Sequence, residues 1–220
     1  MSGPGRPDGD AVAPPRGVLF DLLTALIDSW TLWDSVAGGR DAGRRWRAAY
    51  LRLTYGCGAY RPYEALVREA AEATGLSAAH AEALSARWDE LRPWDDAAGF
   101  LAPLAGRCRL GVVTNCSDAL GRRAAARVAS ATGATFDVIV TSERAGYYKP
   151  HAAPYELALR EIGVPRERVV FVAGSGFDLI GTAAVGLKTL WHNRAGLAKP
   201  PQAPEPFAQR RTLHELASLV

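Results

Sequence analysis

The sequence predicts an α/β protein, a doubly wound parallel sheet interrupted after its first strand by an all-helical cap. Three observations carry this reading. A short apolar run, Gly17-Val18-Leu19-Phe20, ends on an acid, Asp21. Four helical periods follow it with no strand between them. From Leu101 onward, apolar runs and helical periods alternate. Short runs that are apolar at every position suit strands buried on both faces, and parallel strands need a crossover helix between them. The 220 residues suffice for one core domain with a smaller insert.

Taken in order, residues 1–15 are Gly, Pro, Asp and Ala without periodicity, and read as a disordered leader. The first strand then closes on Asp21. Asp28 or Ser29 can cap the first cap helix, which carries Trp30, Trp33 and Val36 on one face and stops at Gly38-Gly39. The second carries Trp46, Tyr50, Leu53 and Cys57 at helical spacing. Pro62 opens the third, with Leu66, Ala70 and Ala73, and Gly75 closes it. Ser77 caps the fourth, with Ala81, Leu84, Trp88 and Leu91 on its inner face until Pro93 ends it. The expected division is a core over 16–27 and 93–220 and a cap over 28–92.

In the core, Leu110–Thr114 reads as a strand and Asp118–Ala131 as a helix. Phe136–Val140 is the next strand, and Pro154–Ile162 the helix after it. Val169–Val172, Asp178–Val185 and Lys188–Trp191 complete the series as strand, helix and last core strand.

Composition narrows the function classes. The hydrophobic share is 48% and the charged share 22%, both ordinary for a globular protein. Net charge is +3, from arginines scattered along the chain rather than gathered in a stripe with aromatics, so nucleic acid is not an expected partner. A small anionic substrate suits this balance. Cys57, Cys108 and Cys116 are odd in number and widely spaced, which fits neither a disulfide framework nor a zinc site and points to a reducing, cytoplasmic setting. No apolar run has signal-peptide or membrane-spanning character, so no membrane association is expected.

Ligands of such sheets bind beyond the carboxyl ends of the strands. Reading each strand to its end brings Asp21, Thr114-Asn115, Ala173-Gly174-Ser175 and His192-Asn193 to one mouth, with Lys149 and Asp178 in the adjoining loops. An ionised, oriented carboxylate can attack carbon or phosphorus. A nearby lysine keeps it ionised. Thr114 and Asn115 can donate hydrogen bonds to it or to a substrate, and Asp178 can anchor Lys149, orient a water or ligate a metal. His151 and His192 have no partner at metal-ligand spacing.

The ordered set Phe20-Asp21-Leu22-Leu23-Thr24-Ala25-Leu26, Val112-Val113-Thr114-Asn115, Lys149-Pro150 and Val172-Ala173-Gly174-Ser175-Gly176-Phe177-Asp178 resembles the four motifs of the haloacid-dehalogenase-like superfamily. The resemblance runs from Gly17 to about Arg194 and implies a Rossmann-like core with a helical cap. Phosphatases of that superfamily use D-x-D-x-T in the first motif and an acidic pair in the fourth. Here Leu23 replaces the proton-transferring acid and Gly174 replaces one of the pair. The subgroup lacking both acids is the 2-haloacid dehalogenases, which attack carbon, release halide and need neither acid nor metal. Their W-R-x-x-x-L-x-x-T-[WY] run is similar to Trp46-Arg47-Ala-Ala-Tyr-Leu51-Arg-Leu-Thr54-Tyr55, and implies Arg47 as the halide acceptor.

Departures from that subgroup are Leu23, Thr24 and Ala25, where it has an aromatic, Gly and Thr, and Ala173 and Ser175, where it has Ser and Asn.

The resemblance therefore implies a hydrolase that displaces a halide-like group from a small 2-substituted carboxylate through an ester with Asp21. Lys149, Asp178 and Arg47 act with it, while Leu23, Thr24, Thr114, Asn115, Ser175 and Phe177 contact substrate. No cofactor is implied. Magnesium would enter only for the alternative, a phosphatase with eroded motifs. A second alternative is a non-hydrolytic biosynthetic or binding role. Relatives of this kind often pair through cap and core surfaces, so a homodimer is among the assemblies implied.

Overall fold

A computed structural model of the chain describes residues 15–220, and the expected leader, apart from Pro15, lies outside the described residues. The first strand, β1, spans Gly17–Asp21 and is buried throughout. One wide π-helical turn, Leu22–Leu26, follows it, and the chain crosses through β2, Ile27–Asp28, into a layer of four helices. These are α1 Ser29–Val36, α2 Arg40–Gly56, α3 Tyr63–Ala73 and α4 Ala78–Ala86. The fourth is shorter than its periodicity suggested. It ends at Ala86, and a 3-10 turn over Trp88–Glu90 carries Trp88 and Leu91 into the same buried face. The Trp88 indole there donates to the Leu120 carbonyl at 2.9 Å.

The chain returns through β3, Arg92–Pro93, which pairs antiparallel with β2, Asp28 lying opposite Arg92. The all-helical reading of 28–92 is therefore corrected at its two ends, and again at Ala59 between α2 and α3, which forms an isolated antiparallel bridge with Tyr147. Two strands crossing side by side satisfy each other's backbone groups, which neither could do alone.

The rest of the chain builds the sheet. After the short α5, Ala97–Leu101, come β4 Arg109–Thr114, α6 Asp118–Thr132, β5 Val138–Thr141, α7 Ser142–Ala145, α8 Ala152–Ile162, β6 Val169–Ala173, α9 Asp178–Ala184 and β7 Lys188–His192. Lys188–His192 is not the last strand. β8, Ala208–Arg210, adds a parallel edge before α10, Leu213–Leu216. The strand order is β5-β4-β1-β6-β7-β8, parallel throughout, so β1 is central and flanked by β4 and β6. β5 starts at Val138 rather than Phe136, because the Asp137 carboxylate and amide are used on Leu110 at the sheet edge.

The pleat sorts β1 between two cores. Val18 and Phe20 pack with α5 and α6, and Leu19 packs with α8 and α9. With both faces covered, the open end of the sheet beyond Asp21 is where a ligand can enter. Among the described residues no helix is long and apolar enough to cross a membrane.

Candidate active site

β1 delivers Asp21 to the sheet's open end, and the π turn after it folds back so that its own backbone holds the carboxylate. Asp21 Oδ2 accepts from the Thr24 amide at 2.9 Å, the Ala25 amide at 3.2 Å and the Thr24 hydroxyl. Side chains from outside grip the same turn. Ser29 donates to the Leu23 carbonyl, the Trp94 indole to the Thr24 carbonyl at 3.1 Å, and His192 Nδ1 lies 2.8 Å from the Ala25 carbonyl.

Lys149 Nζ bridges two carboxylates, at 2.8 Å from Asp21 Oδ1 and 2.9 Å from Asp178 Oδ1. All three groups are nearly closed off, with exposures of 6% for Asp21, 5% for Lys149 and 2% for Asp178. Tyr155 donates to Asp178 Oδ1 at 2.7 Å, while the buried Asp178 Oδ2 has no partner among the described residues. Asn115 fixes the lysine's backbone. Its Oδ1 accepts from the Lys149 amide at 2.8 Å, and its Nδ2 donates to the Lys149 carbonyl at 3.0 Å.

These contacts set the charges. Burial raises the pKa of Asp21, but the Lys149 ammonium and the Thr24 donors outweigh it, and the group lies below the ordinary carboxylate value. Burial also raises Asp178, and the charge of Asp21 adds to it. Lys149 opposes the rise without reversing it, so Asp178 lies above the ordinary value. Burial lowers Lys149, but its two carboxylates prevail and it is held firmly protonated.

A cavity of about 130 Å³ opens above this triad, well below the ~300–1,000 Å³ typical of drug-sized ligands. Asp21, Lys149 and Asp178 line its floor, with Leu23, Thr24, Asn115, Ser175 and Phe177 around them. The helical layer supplies Trp30, Trp33, Arg47, Tyr50, Leu51, Tyr55 and Tyr63. The Phe177 ring packs against Tyr55 with centroids 4.4 Å apart.

Arg47 is 7% exposed and forms no ion pair among the described residues. It donates to Ser29 Oγ at 2.8 Å, and its guanidinium lies 3.9 Å from the Trp30 ring centre. Burial lowers its pKa, yet a guanidinium stays charged in proteins. A buried cation without a counter-anion, beside a small cavity, is a place for an anion.

One expected contact is corrected. Thr114 does not line the cavity. It is buried, with its hydroxyl 3.8 Å from Cys116 Sγ and its methyl against Gly121 of α6, so the last residue of β4 points into the core. Asn115 does line the cavity; its Oδ1 accepts from the Lys149 amide and from Ser142, and one Nδ2 hydrogen goes to the Lys149 carbonyl, leaving the other for a ligand. Tyr155, Trp94 and His192 act at the site without any local sequence signal of it. Tyr155 follows Lys149 on the first turn of α8, and only the fold shows that this turn meets Asp178.

The departures from the superfamily's acids also have a structural side. At Gly174 a Cβ would lie 2.2 Å from Thr24 Oγ1 and 2.3 Å from the Ala25 amide, the groups that hold Asp21. No side chain fits there. We expect Gly174→Asp to cost at least about 3 kcal/mol of stability through overpacking, read by urea unfolding, and to create no magnesium requirement. A variant as stable as the parent would contradict this close approach.

The donor set does not suit magnesium, which wants near-octahedral oxygens. An ammonium already lies between Asp21 and Asp178, the Leu23 carbonyl accepts from Ser29, and Gly174 offers no carboxylate. Among the described residues no group of three or more His, Cys, Asp or Glu could hold a metal ion.

Comparison with known proteins places this geometry. The chain is 26% identical to haloacetate dehalogenase H-2 of Moraxella sp. (strain B), over 83% of this chain and 88% of that one. It is 26% identical to (S)-2-haloacid dehalogenase H-109 of Pseudomonas putida, over 93% and 97%. The solved L-2-haloacid dehalogenase of Xanthobacter autotrophicus superposes with a TM-score of 0.80 at 22% identity, covering 93% of this chain and 98% of that one. Residues 17–186 match the model for haloacid dehalogenase-like hydrolases, the stretch that holds Asp21, Arg47, Lys149 and Asp178. With sheet, insertion and matched stretch in agreement, the chain belongs to the haloacid dehalogenase-like hydrolase family.

Proposed function

We propose that the protein hydrolyses the carbon–halogen bond of a small 2-halocarboxylate through an ester with Asp21. The observation that carries this is the pairing of two features in one small cavity. One is a carboxylate held ionised by Lys149, and the other is a buried Arg47 with no counter-anion of its own. Relatives over most of the chain carry the names of haloacid dehalogenases, which supports the same substrate class.

In the first step Asp21 attacks the substrate's C2, an Asp21–carbon bond forms, and the carbon–halogen bond breaks with its electron pair leaving on the halide. Arg47 receives that anion. Oδ1, held by a single ammonium, is the attacking oxygen. Oδ2, gripped by three donors, remains the carbonyl oxygen. In the second step water attacks the ester carbon of Asp21. The negative charge that develops on Oδ2 falls on the Thr24 and Ala25 amides, which serve as an oxyanion hole.

Asp178 takes the water's proton at Oδ2, its unpartnered oxygen. Esterification removes the Asp21 charge that helps raise Asp178, so the base becomes easier to ionise once the ester exists. The tetrahedral intermediate then collapses, the Asp21 Cγ–Oδ1 bond breaks, the departing oxygen takes the proton back from Asp178, and the regenerated Asp21 carboxyl ionises, so the products are a 2-hydroxy acid, halide and a proton. The halide departs unprotonated, so the first step needs no acid, which fits Leu23 where phosphatases carry one.

The test is chloride release from 2-chloropropionate and chloroacetate in excess chelator. We expect release at a rate unchanged by chelation. Hydrolysis of a phosphate ester restored by magnesium, with no chloride release, would replace this reading with the phosphatase one.

A further inference from the structure

Ser29 is wholly buried at the first position of α1, and it does not cap that helix. Asp28 does, accepting from the Thr31 amide at 3.2 Å and the Thr31 hydroxyl at 2.7 Å. The Ser29 hydroxyl is spent elsewhere. It accepts from Arg47 Nη1 at 2.8 Å and donates to the Leu23 carbonyl. Leu23 belongs to the turn whose amides hold Asp21 Oδ2. One hydroxyl thus joins the guanidinium of α2, in the helical layer, to the turn of the nucleophile, in the sheet layer.

We propose that Ser29 is a positioning residue that aims Arg47 at the point where the leaving anion departs from the carbon attacked by Asp21. This rests on the reading of Arg47 as the anion receptor given above.

The physical case is one of direction. Apart from Ser29, the groups that hold the Arg47 guanidinium are ring faces, Trp30 at 3.9 Å and Trp33 at 5.7 Å. A ring face attracts a cation but leaves it free to slide and rotate. A hydrogen bond to a charged donor is both stronger and directional. The hydroxyl fixes one edge of the guanidinium, so that its remaining N–H groups are presented in one orientation. Because the same oxygen donates to the Leu23 carbonyl, that orientation is registered to the Asp21 turn rather than to the helical layer alone. The serine's one donor hydrogen goes to Leu23 and Arg47 can only donate to it, so the link has a fixed sense.

The probe is bromide, titrated into the full chain and read by quenching of tryptophan fluorescence, since Trp30 and Trp33 line the site. Wild type should show saturable quenching that Arg47→Met removes. Ser29→Ala should bind bromide about tenfold more weakly, the scale of a hydrogen bond to a charged group. Its kcat should fall by more than its KM rises. Ser29→Cys, which keeps a weak donor and acceptor of similar size, should fall between the two. A hydroxyl that served folding alone would lower the melting temperature and leave bromide affinity in the folded protein unchanged.

Wild-type bromide affinity in folded Ser29→Ala would overturn the inference while leaving the role of Arg47 standing. An absence of saturable bromide binding in wild type would overturn both together.

Discussion

Asp21→Asn should release no measurable chloride from a 2-chlorocarboxylate, a loss on the order of a million-fold, as when other covalent nucleophiles are removed. The amide is neutral and a poor nucleophile. It also sets an NH₂ or a carbonyl against the Lys149 ammonium, where a carboxylate oxygen now lies at 2.8 Å. The turn itself survives, because an amide oxygen can still accept from the Thr24 and Ala25 amides. The variant should therefore fold while failing chemically.

Oxygen-18 separates the roles that a dead variant alone does not. In a single turnover in labelled water, attack by Asp21 sends an enzyme oxygen into the product and places the label in the Asp21 side chain. Mass spectrometry of the peptide containing Asp21 reads this. Label found in the product at the first turnover, with Asp21 unlabelled, would make Asp21 a base and water the nucleophile. Activity surviving in Asp21→Asn, after its mass shows no deamidation, would remove it from the chemistry altogether.

The sheet was legible because buried parallel strands leave a strong trace. Val18-Leu19-Phe20, Val112-Val113 and Val169–Val172 are apolar at every position, and each ends at the mouth. Asp21 was legible for the same reason, and Lys149 and Asp178 because the segments that follow β5 and β6 leave the sheet at that same end. What the sequence hid depends on side-chain direction and on contacts between distant segments. Thr114 sits at a strand end like its neighbours, but its hydroxyl turns toward Cys116. β8 is only Ala208–Arg210, too short and too polar to announce itself. The grips of Trp94 and His192 on the Asp21 turn join residues 70 and 167 positions apart in sequence, and no local pattern encodes them. Ala25, where the subgroup has a threonine, offers no hydroxyl to Asp21 Oδ2. The structure shows the Thr24 hydroxyl on the same oxygen, one residue earlier.

Lys149→Met should change the pH response of the site, because Asp21 would join Asp178 in having a raised pKa. In the wild type, Asp21 has a folded-state pKa below its ordinary value. Its contribution to stability is therefore present above the unfolded value and is lost as pH falls through the folded one. Lys149, with its pKa raised, contributes stability that is present below its ordinary value and lost as pH rises through the folded one. Removing the ammonium leaves Asp21 and Asp178 buried with no cation between them. Burial then prevails for both, each carboxylate repels the other's charge, and both pKa values move up. The folded variant binds protons more tightly than the unfolded chain, so its stability rises as pH falls from neutral, until the pH passes below the unfolded carboxylate values. At neutral pH the loss should be about 3–5 kcal/mol, the scale of breaking a buried ion pair. Turnover should drop by at least about a thousandfold, since the cation that keeps Asp21 ionised is lost along with the anchoring of Asp178. What activity remains should need a higher pH than the wild type, because Asp21 must ionise unaided. Urea unfolding at pH 5 and pH 7.5, with chloride release across the same range, reads both effects. A variant whose stability relative to wild type is the same at the two pH values would show that Lys149 does not set the charge of Asp21.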